Sequence, residues 1–405
     1  MVPGQAFFFA QKILGDFMAF LILADGTVFE GKSIGARGSA IGETVFTTGM
    51  TGYIETLTDP SYYGQIITQT FPLIGNYGVI QEDFESRKIW ARGYIVREIC
   101  DQPSNFRSGG DLDSLLKSQN IVGIAGIDTR ALTKKLRASG VMNGMIISGA
   151  ECPEITGSLL EKIRGYRITE AVETVSTSDK AAERKPSVTE GYPELNKDII
   201  RLHGKRKPRI VLWDFGAKDN IRRELEKRGA EVMVVPYSVT ADEITGMKPD
   251  GLMLSNGPGD PADNSGIITE ISRICGMNRS GEIKLPIFGI CLGHQMLALA
   301  SGAKTSKLKY GHRGGNHPVK DMETGRVYIS SQNHGYAVEN DSVPKNAFLS
   351  FVNTNDGTCE GISYGDIPAF SVQFHPEACG GPHDTNYLFD KFLKLVKEQS
   401  DAFES

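Results

Sequence analysis

From residue 208 the chain alternates two kinds of segment, and this alternation constrains its fold more than any other feature. "RIVLWDF" is a continuous apolar run, "KDNIRRELEKRG" has helical spacing, and "EVMVVPY" is apolar again. The helix-like "ADEITGM", the run "GLMLSNG", a helical stretch at 264–277 and the run "IFGI" continue the series. Strands alternating with helices predict βαβ units and an open, mostly parallel α/β sheet. Further on, "RVYISSQ", "AFLSFVNTN", "GTCEGISYG" and "AFSVQFH" predict more strands, with antiparallel pairs among them. The helix "TNYLFDKFLKLVKEQ" follows.

The amino-terminal half reads differently. Residues 18–150 carry short strands with many glycines and turn signals, such as "LILADGTVFEG" and "ETVFTTG", and predict a mixed α/β domain. One helix is expected at "DTRALTKKLRASG", with Asp128 as N-cap and Gly140 as the stop. Between 151 and 207 the apolar content falls and Ser, Thr, Lys and Glu accumulate, which predicts a linker. The domains are therefore 18–150 and 208–405. Residues 1–17 read as an extension, because a clean strand pattern opens at Met18.

Composition excludes several classes. Forty-four Lys and Arg against 49 Asp and Glu give a net charge of −5, so no basic excess marks a nucleic-acid binder. The apolar patches near the start are interrupted by Lys12 and Asp16, with no A-x-A-like site after them; they make a poor signal peptide and are too short to span a membrane. The six cysteines are widely spaced and include no CxxC pair. That argues against a zinc site or a disulfide framework and points to a cytoplasmic protein with free thiols.

The chemistry concentrates in "PIFGICLGHQMLALASG" at 286–302. Cys291 lies between Gly289 and Gly293, where an apolar strand gives way to a helix. This is the form of a nucleophile elbow with Cys in the place of Ser. A helix N-terminus beneath the sulfur favours thiolate over thiol. Taken alone, the run fits a structural cysteine on a tight turn equally well. A thiolate nucleophile needs a base and an orienting group. In "AFSVQFHPEAC", His375 ends a strand and Glu377 lies two residues on, the spacing that puts two side chains on one face. His-Pro-Glu by itself also fits a surface turn. "LSNGPGDP" at 254–261 follows a strand, and its glycines free the backbone to point an amide into a cleft; with the Leu292 amide this would make an oxyanion hole. That stretch alone reads as an ordinary Gly-Pro turn. His294 is adjacent to the elbow along a helix and should face away from it. "DFG" at 214–216 has no phosphate loop with it and reads as the end of the first strand of the sheet.

"GICLGHQ", "NGPGDP" and "HPE" together resemble the class I, triad-type glutamine amidotransferase domain. "GETVFTTGMTGYIETLTDPSYYGQIIT", "IGNYG", "IAGIDTRALTKKLR", "GHRGGNHPV" and "SQNHGYAV" resemble the small, glutamine-hydrolysing subunits of carbamoyl-phosphate synthases, from about residue 18 onward. The amidotransferase motifs alone leave other synthases open, such as those making anthranilate or GMP. A catalytically silent scaffold is the other alternative, and the intact Cys291, His375 and Glu377 argue against it.

The resemblance implies that Cys291 attacks the carboxamide of L-glutamine, with Gly259 and Leu292 holding the oxyanion. His375 would serve as acid and base, oriented by Glu377. The implied glutamine contacts are Ser61, Gly257, Gly259, Leu292, Gln295, Asn333, Gly335 and Tyr336, and Ser61 belongs to the first domain. Ammonia would pass to a large synthetase subunit that carries ATP and Mg²⁺, with no cofactor or metal in this chain. The sequence departs from the family pattern twice. Position 336 is Tyr rather than Phe, and Cys379-Gly380-Gly381 stands where Ser-Pro-Gly is usual.

Overall fold

The computed structural model describes residues 18–178 and 206–399. The expected extension at 1–17 lies outside them. The chain divides into two compact units, Met1–Thr169 and Glu170–Ser405.

Among the described residues the first unit has nine strands: β1 (Met18–Leu23), β2 (Val28–Gly35), β3 (Gly38–Thr47), β4 (Gln65–Gln69), β5 (Leu73–Ile74), β6 (Gly93–Val96), β7 (Glu98–Ile99), β8 (Val122–Ala125) and β9 (Met142–Ser148). Seven close into a barrel in the order β1-β2-β8-β6-β4-β3-β9, and β5 pairs with β7 apart from it. Closure comes from β9, which pairs antiparallel with both β1 and β3. The run that opens at Met18 is a hairpin whose strands pair Ile22 with Val28, and Gly26 in its turn has φ 89°. Helices α1 (Tyr53–Thr58), α2 (Leu112–Ser118) and α3 (Thr129–Ser139) follow in chain order. Helix α3 is the one expected from "DTRALTKKLRASG". Asp128 caps it by accepting from the Ala131 N–H, and Gly140 ends it.

The stretch read as a linker carries structure. Helix α4 (Gly157–Arg164) is capped by the Thr156 hydroxyl, and its Ile163 packs with Ile22 and Met145 of the barrel. Helix α5 (Ala171–Val175) opens the second unit, with Val172 and Val175 buried. Average composition hid both helices because each needs only two or three well-placed apolar residues. Residues 179–205 lie outside the described residues.

The second unit is built on β10 (Arg209–Asp214), β11 (Glu231–Pro236), β12 (Gly251–Leu254), β13 (Ile287–Ile290), β14 (Thr305–Asp321), β15 (Val327–Val338), β16 (Ala347–Asn353), β17 (Cys359–Tyr364) and β18 (Ala369–Val372). They form one sheet in the order β11-β10-β12-β13-β18-β17-β16-β14-β15. The first five are parallel and the rest antiparallel. The connecting helices are α6 (Asp219–Lys227), α7 (Ala241–Gly246), α8 (Ser265–Ser280) and α9 (Leu292–Ala300), and α10 (Leu388–Gln399) follows β18.

The apolar strands are apolar on both faces because both are covered. Along β10, Val211 and Trp213 join a core shared with α8 and α9, while Ile210 and Leu212 join one shared with α6 and α10. The parallel register ends β10, β12, β13 and β18 along one carboxyl edge, where open α/β sheets bind ligands. No helix among the described residues is long and apolar enough to cross a membrane.

Candidate active site

Cys291 is the hinge between β13 and α9. Its backbone has φ 52° and ψ −103°, which a residue with a Cβ seldom adopts, so the surrounding structure has to hold it there. Its N–H donates to the Val372 carbonyl at 2.9 Å, and its carbonyl accepts from the Gln295 N–H at 3.1 Å. The flanking glycines answer a packing demand. A Cβ on Gly293 would lie 2.4 Å from the Leu254 carbonyl oxygen, and one on Gly289 would lie 2.9 Å from the Gly293 backbone. The start of α9 therefore rides directly on β12 and β13. The Gly293 N–H is tied to the Ser255 carbonyl at 3.0 Å. Leu292 is the first residue of α9, so its N–H has no partner within the helix. Gly259, in the turn after β12, has φ 92°.

His375 follows β18 on the same edge. Its Nδ1 lies 2.6 Å from Glu377 Oε1, with both side chains fully buried. The His375 N–H donates to the Ser331 carbonyl at 2.9 Å. Asn220 donates to the Glu377 carbonyl, and Asn386 donates to the Pro376 carbonyl at 3.1 Å. This clamp holds the turn after β18 from several elements. His375 Nε2 has no hydrogen-bond partner among the described residues, and Cys291 is one of the groups that raise the pKa of the ring.

Lys218, at the N-terminus of α6, puts Nζ 3.3 Å from Glu377 Oε1. Electrostatics follow from these neighbours. Burial and Lys218 both push the His375 pKa down, but Glu377 and Cys291 outweigh them and hold the imidazole above its usual range. Burial alone would raise Glu377, whereas His375 and Lys218 hold it well below the usual carboxylate range. The arrangement favours an imidazolium paired with a carboxylate, beside a sulfur at a helix N-terminus.

Gln295 lies one turn into α9, and its Nε2 donates to the Tyr336 carbonyl at 2.7 Å. The Asn333 carbonyl is 3.7 Å from Cys291 Sγ. Asn333, Gly335 and Tyr336 share β15, so this strand passes the sulfur. The Tyr336 ring is half-buried, with Lys307 Nζ 5.8 Å from its centroid. Gly257 is buried beside Phe215. Ser61 is buried in the first unit, where its N–H donates to Asp59 Oδ1. His294 faces away from the elbow, as expected. Its Nδ1 is 2.8 Å from Ser371 Oγ, and burial pushes its pKa down to about 3. The departure at Cys379 and Gly380 falls on an exposed turn.

A buried cluster of His312, His334 and Glu360 has the donor types of a metal site. Several of its atoms have partners, whereas His312 Nδ1, 3.5 Å from Glu360 Oε1, and Glu360 Oε2 have no hydrogen bond among the described residues. His334 Nδ1 and Nε2 face the Tyr336 carbonyl and Gln332 Oε1, and Glu360 Oε1 accepts from Asn353.

Two neighbours of the site escaped the sequence reading. Gln373 precedes His375 by two residues in the bend that follows β18, so His375 does not end a strand as expected, and the same spacing of two that singled out His375 with Glu377 could have found it. Lys218 lies far from Glu377 along the chain, and no local signal marks it.

Residues 21–146 match the family described as "Carbamoyl-phosphate synthase small chain, CPSase domain", and residues 211–395 match "Glutamine amidotransferase class-I". The carbamoyl phosphate synthase small chain of Bacillus cereus (strain ATCC 10987) is 50% identical over 378 residues, covering 93% of this chain and 95% of the relative. The chain belongs to the carbamoyl-phosphate synthase small-chain family. Members from Fusobacterium nucleatum, 50% identical over 93% of this chain and 97% of its own length, and from Symbiobacterium thermophilum, 48% identical over 92% and 97%, agree. The first family match falls on the barrel unit, and the amidotransferase match spans the strands and helices that carry the elbow and the His375 turn.

Proposed function

We propose that this chain is the glutaminase subunit of a carbamoyl-phosphate synthase and hydrolyses L-glutamine through Cys291, His375 and Glu377. The observation that carries the reading is the elbow sulfur standing on the same sheet edge as a buried His–Glu pair at 2.6 Å. Cys291 attacks the carboxamide carbon. The oxyanion is held by the N–H groups of Gly259 and Leu292, donors set in place before charge develops. His375 gives its proton to the leaving nitrogen, and ammonia departs from a γ-glutamyl thioester. His375 then takes a proton from water, which attacks the thioester and releases glutamate and the thiolate. Glu377 keeps Nδ1 protonated so that Nε2 does this work, and Lys218 keeps Glu377 ionised. Gly257, Gln295, Asn333, Gly335 and Tyr336 contact the substrate.

The ammonia goes to a large synthetase subunit, which on this reading holds ATP and Mg²⁺ and makes carbamoyl phosphate from bicarbonate. The test is glutamate release by the purified chain, alone and with its large subunit. Turnover that rises when the partner is added supports the reading. No glutamate in either case overturns it.

A further inference from the structure

Gln373 is fully buried, and its side-chain nitrogen lies 3.5 Å from Cys291 Sγ. Its carbonyl oxygen accepts from Gln295 Nε2 at 2.8 Å, and the same nitrogen of Gln295 donates to the Tyr336 carbonyl at 2.7 Å. An amide's oxygen and nitrogen have nearly the same shape, so orientation has to be argued from partners. The Tyr336 peptide carbonyl only accepts, so Gln295 must present nitrogen to it. The second hydrogen of that nitrogen reaches Gln373, which must present oxygen. The Gln373 nitrogen is then left facing the sulfur. One peptide carbonyl thus sets the polarity of the whole chain, Tyr336 to Gln295 to Gln373 to Cys291.

We propose that Gln373 is a catalytic residue: its amide N–H donates to Cys291 Sγ and stabilises the nucleophile as thiolate. A donor gains more from an ionised acceptor than from a neutral one, so the contact favours S⁻ over S–H. His375 is a titratable neighbour that interacts with the sulfur, with Glu377 and Lys218 behind it. His375 must give up and regain a proton within the cycle, so its support for the thiolate comes and goes. An amide does not titrate. Gln373 therefore acts on the sulfur at both points where it carries charge, before attack on the carboxamide and when it leaves the thioester with its electron pair.

The proposal rests on Cys291 as the nucleophile, but its test does not depend on turnover. The full chain is alkylated with iodoacetamide across a pH series without glutamine, and the Cys291 peptide is followed by mass spectrometry. Replacing Gln373 by Met keeps bulk and removes the donor. The midpoint of the alkylation profile should move up by about one pH unit, roughly a tenfold loss of rate at pH values below both midpoints. Gln373→Glu keeps an acceptor for Gln295 and puts an acidic oxygen against the sulfur; its shift should be at least as large, and it serves if the Met variant does not fold. A folded variant with the wild-type profile overturns the proposal, even if its glutaminase rate falls, because Gln373 would then act only through Gln295. Wild-type chain that alkylates normally but never hydrolyses glutamine would instead overturn the functional reading.

Discussion

Gly293→Ala adds one methyl group where helix α9 crosses β12, and its consequences can be worked from the contact itself. The new Cβ would sit 2.4 Å from the Leu254 carbonyl oxygen and 2.7 Å from Leu254 C and Cβ. Two of these three atoms are backbone, so no side chain can rotate out of the way. Cβ contacts under 3.0 Å essentially do not occur, so the gap has to open from 2.4 Å to at least 3.0 Å, roughly 0.6 Å of helix displacement. Overpacking of this kind costs about 1–3 kcal/mol. At about 2–4 °C per kcal/mol for a unit of this size, the melting temperature should fall by several degrees. The catalytic loss should be larger in proportion. Cys291 caps the displaced helix and Leu292 is its first residue, and a misplacement of about 1 Å can cost on the order of 10²-fold in rate. The assay pairs thermal melting with initial rates of glutamate release. A folded Gly293→Ala protein with wild-type kcat would refute the claim that the close approach of α9 to β12 places the nucleophile.

Other expectations follow from the same geometry. His375→Asn should cut glutamate release by about 10²–10⁴-fold, since one imidazole serves both halves of the reaction; a near-normal rate would show another base. Glu377→Gln should be milder in rate, as orienting groups often are. It also carries a pH signature. The Glu377 carboxyl is held below its usual range, so it adds stability above that range and loses it as pH falls through the depressed value. The gap in melting temperature between wild type and Glu377→Gln should therefore shrink on acidification; a constant gap would contradict the pairing. Gly259→Val forces a β-branched residue into φ 92° and should lower the rate by about 10²–10³-fold in a folded protein, read by initial rates beside circular dichroism.

Much of the second unit was legible in the sequence because its signals are local. Continuous apolar strands announce a sheet covered on both faces, and the Gly-Ile-Cys-Leu-Gly run announces a turn that only small neighbours permit. His375 and Glu377 were legible through a spacing of two. The closed barrel was not. The strand pattern of the first unit was plain, but closure depends on β9 pairing with both β1 and β3, and residues far apart in sequence decide that. Lys218 is invisible for the same reason, since its partner lies on another element across the carboxyl edge. Helices α4 and α5 were lost in a polar stretch, because a handful of residues such as Ile163 and Val172 carry their packing. The Gln373 contact depends on amide orientation, which the Tyr336 carbonyl sets through Gln295.

The central claim is that the sulfur of Cys291 does the chemistry on glutamine and nothing beyond it. The measurement that tests it most directly is carbamoyl phosphate formation by the complex of this chain with its large subunit, using Cys291→Ser and supplying nitrogen either as glutamine or as ammonia. The substitution changes one atom and leaves the elbow backbone as it is. Synthesis from glutamine should be lost while synthesis from ammonia stays at the wild-type level. Glutamine-supported synthesis persisting at a comparable rate in the Ser variant would contradict the account.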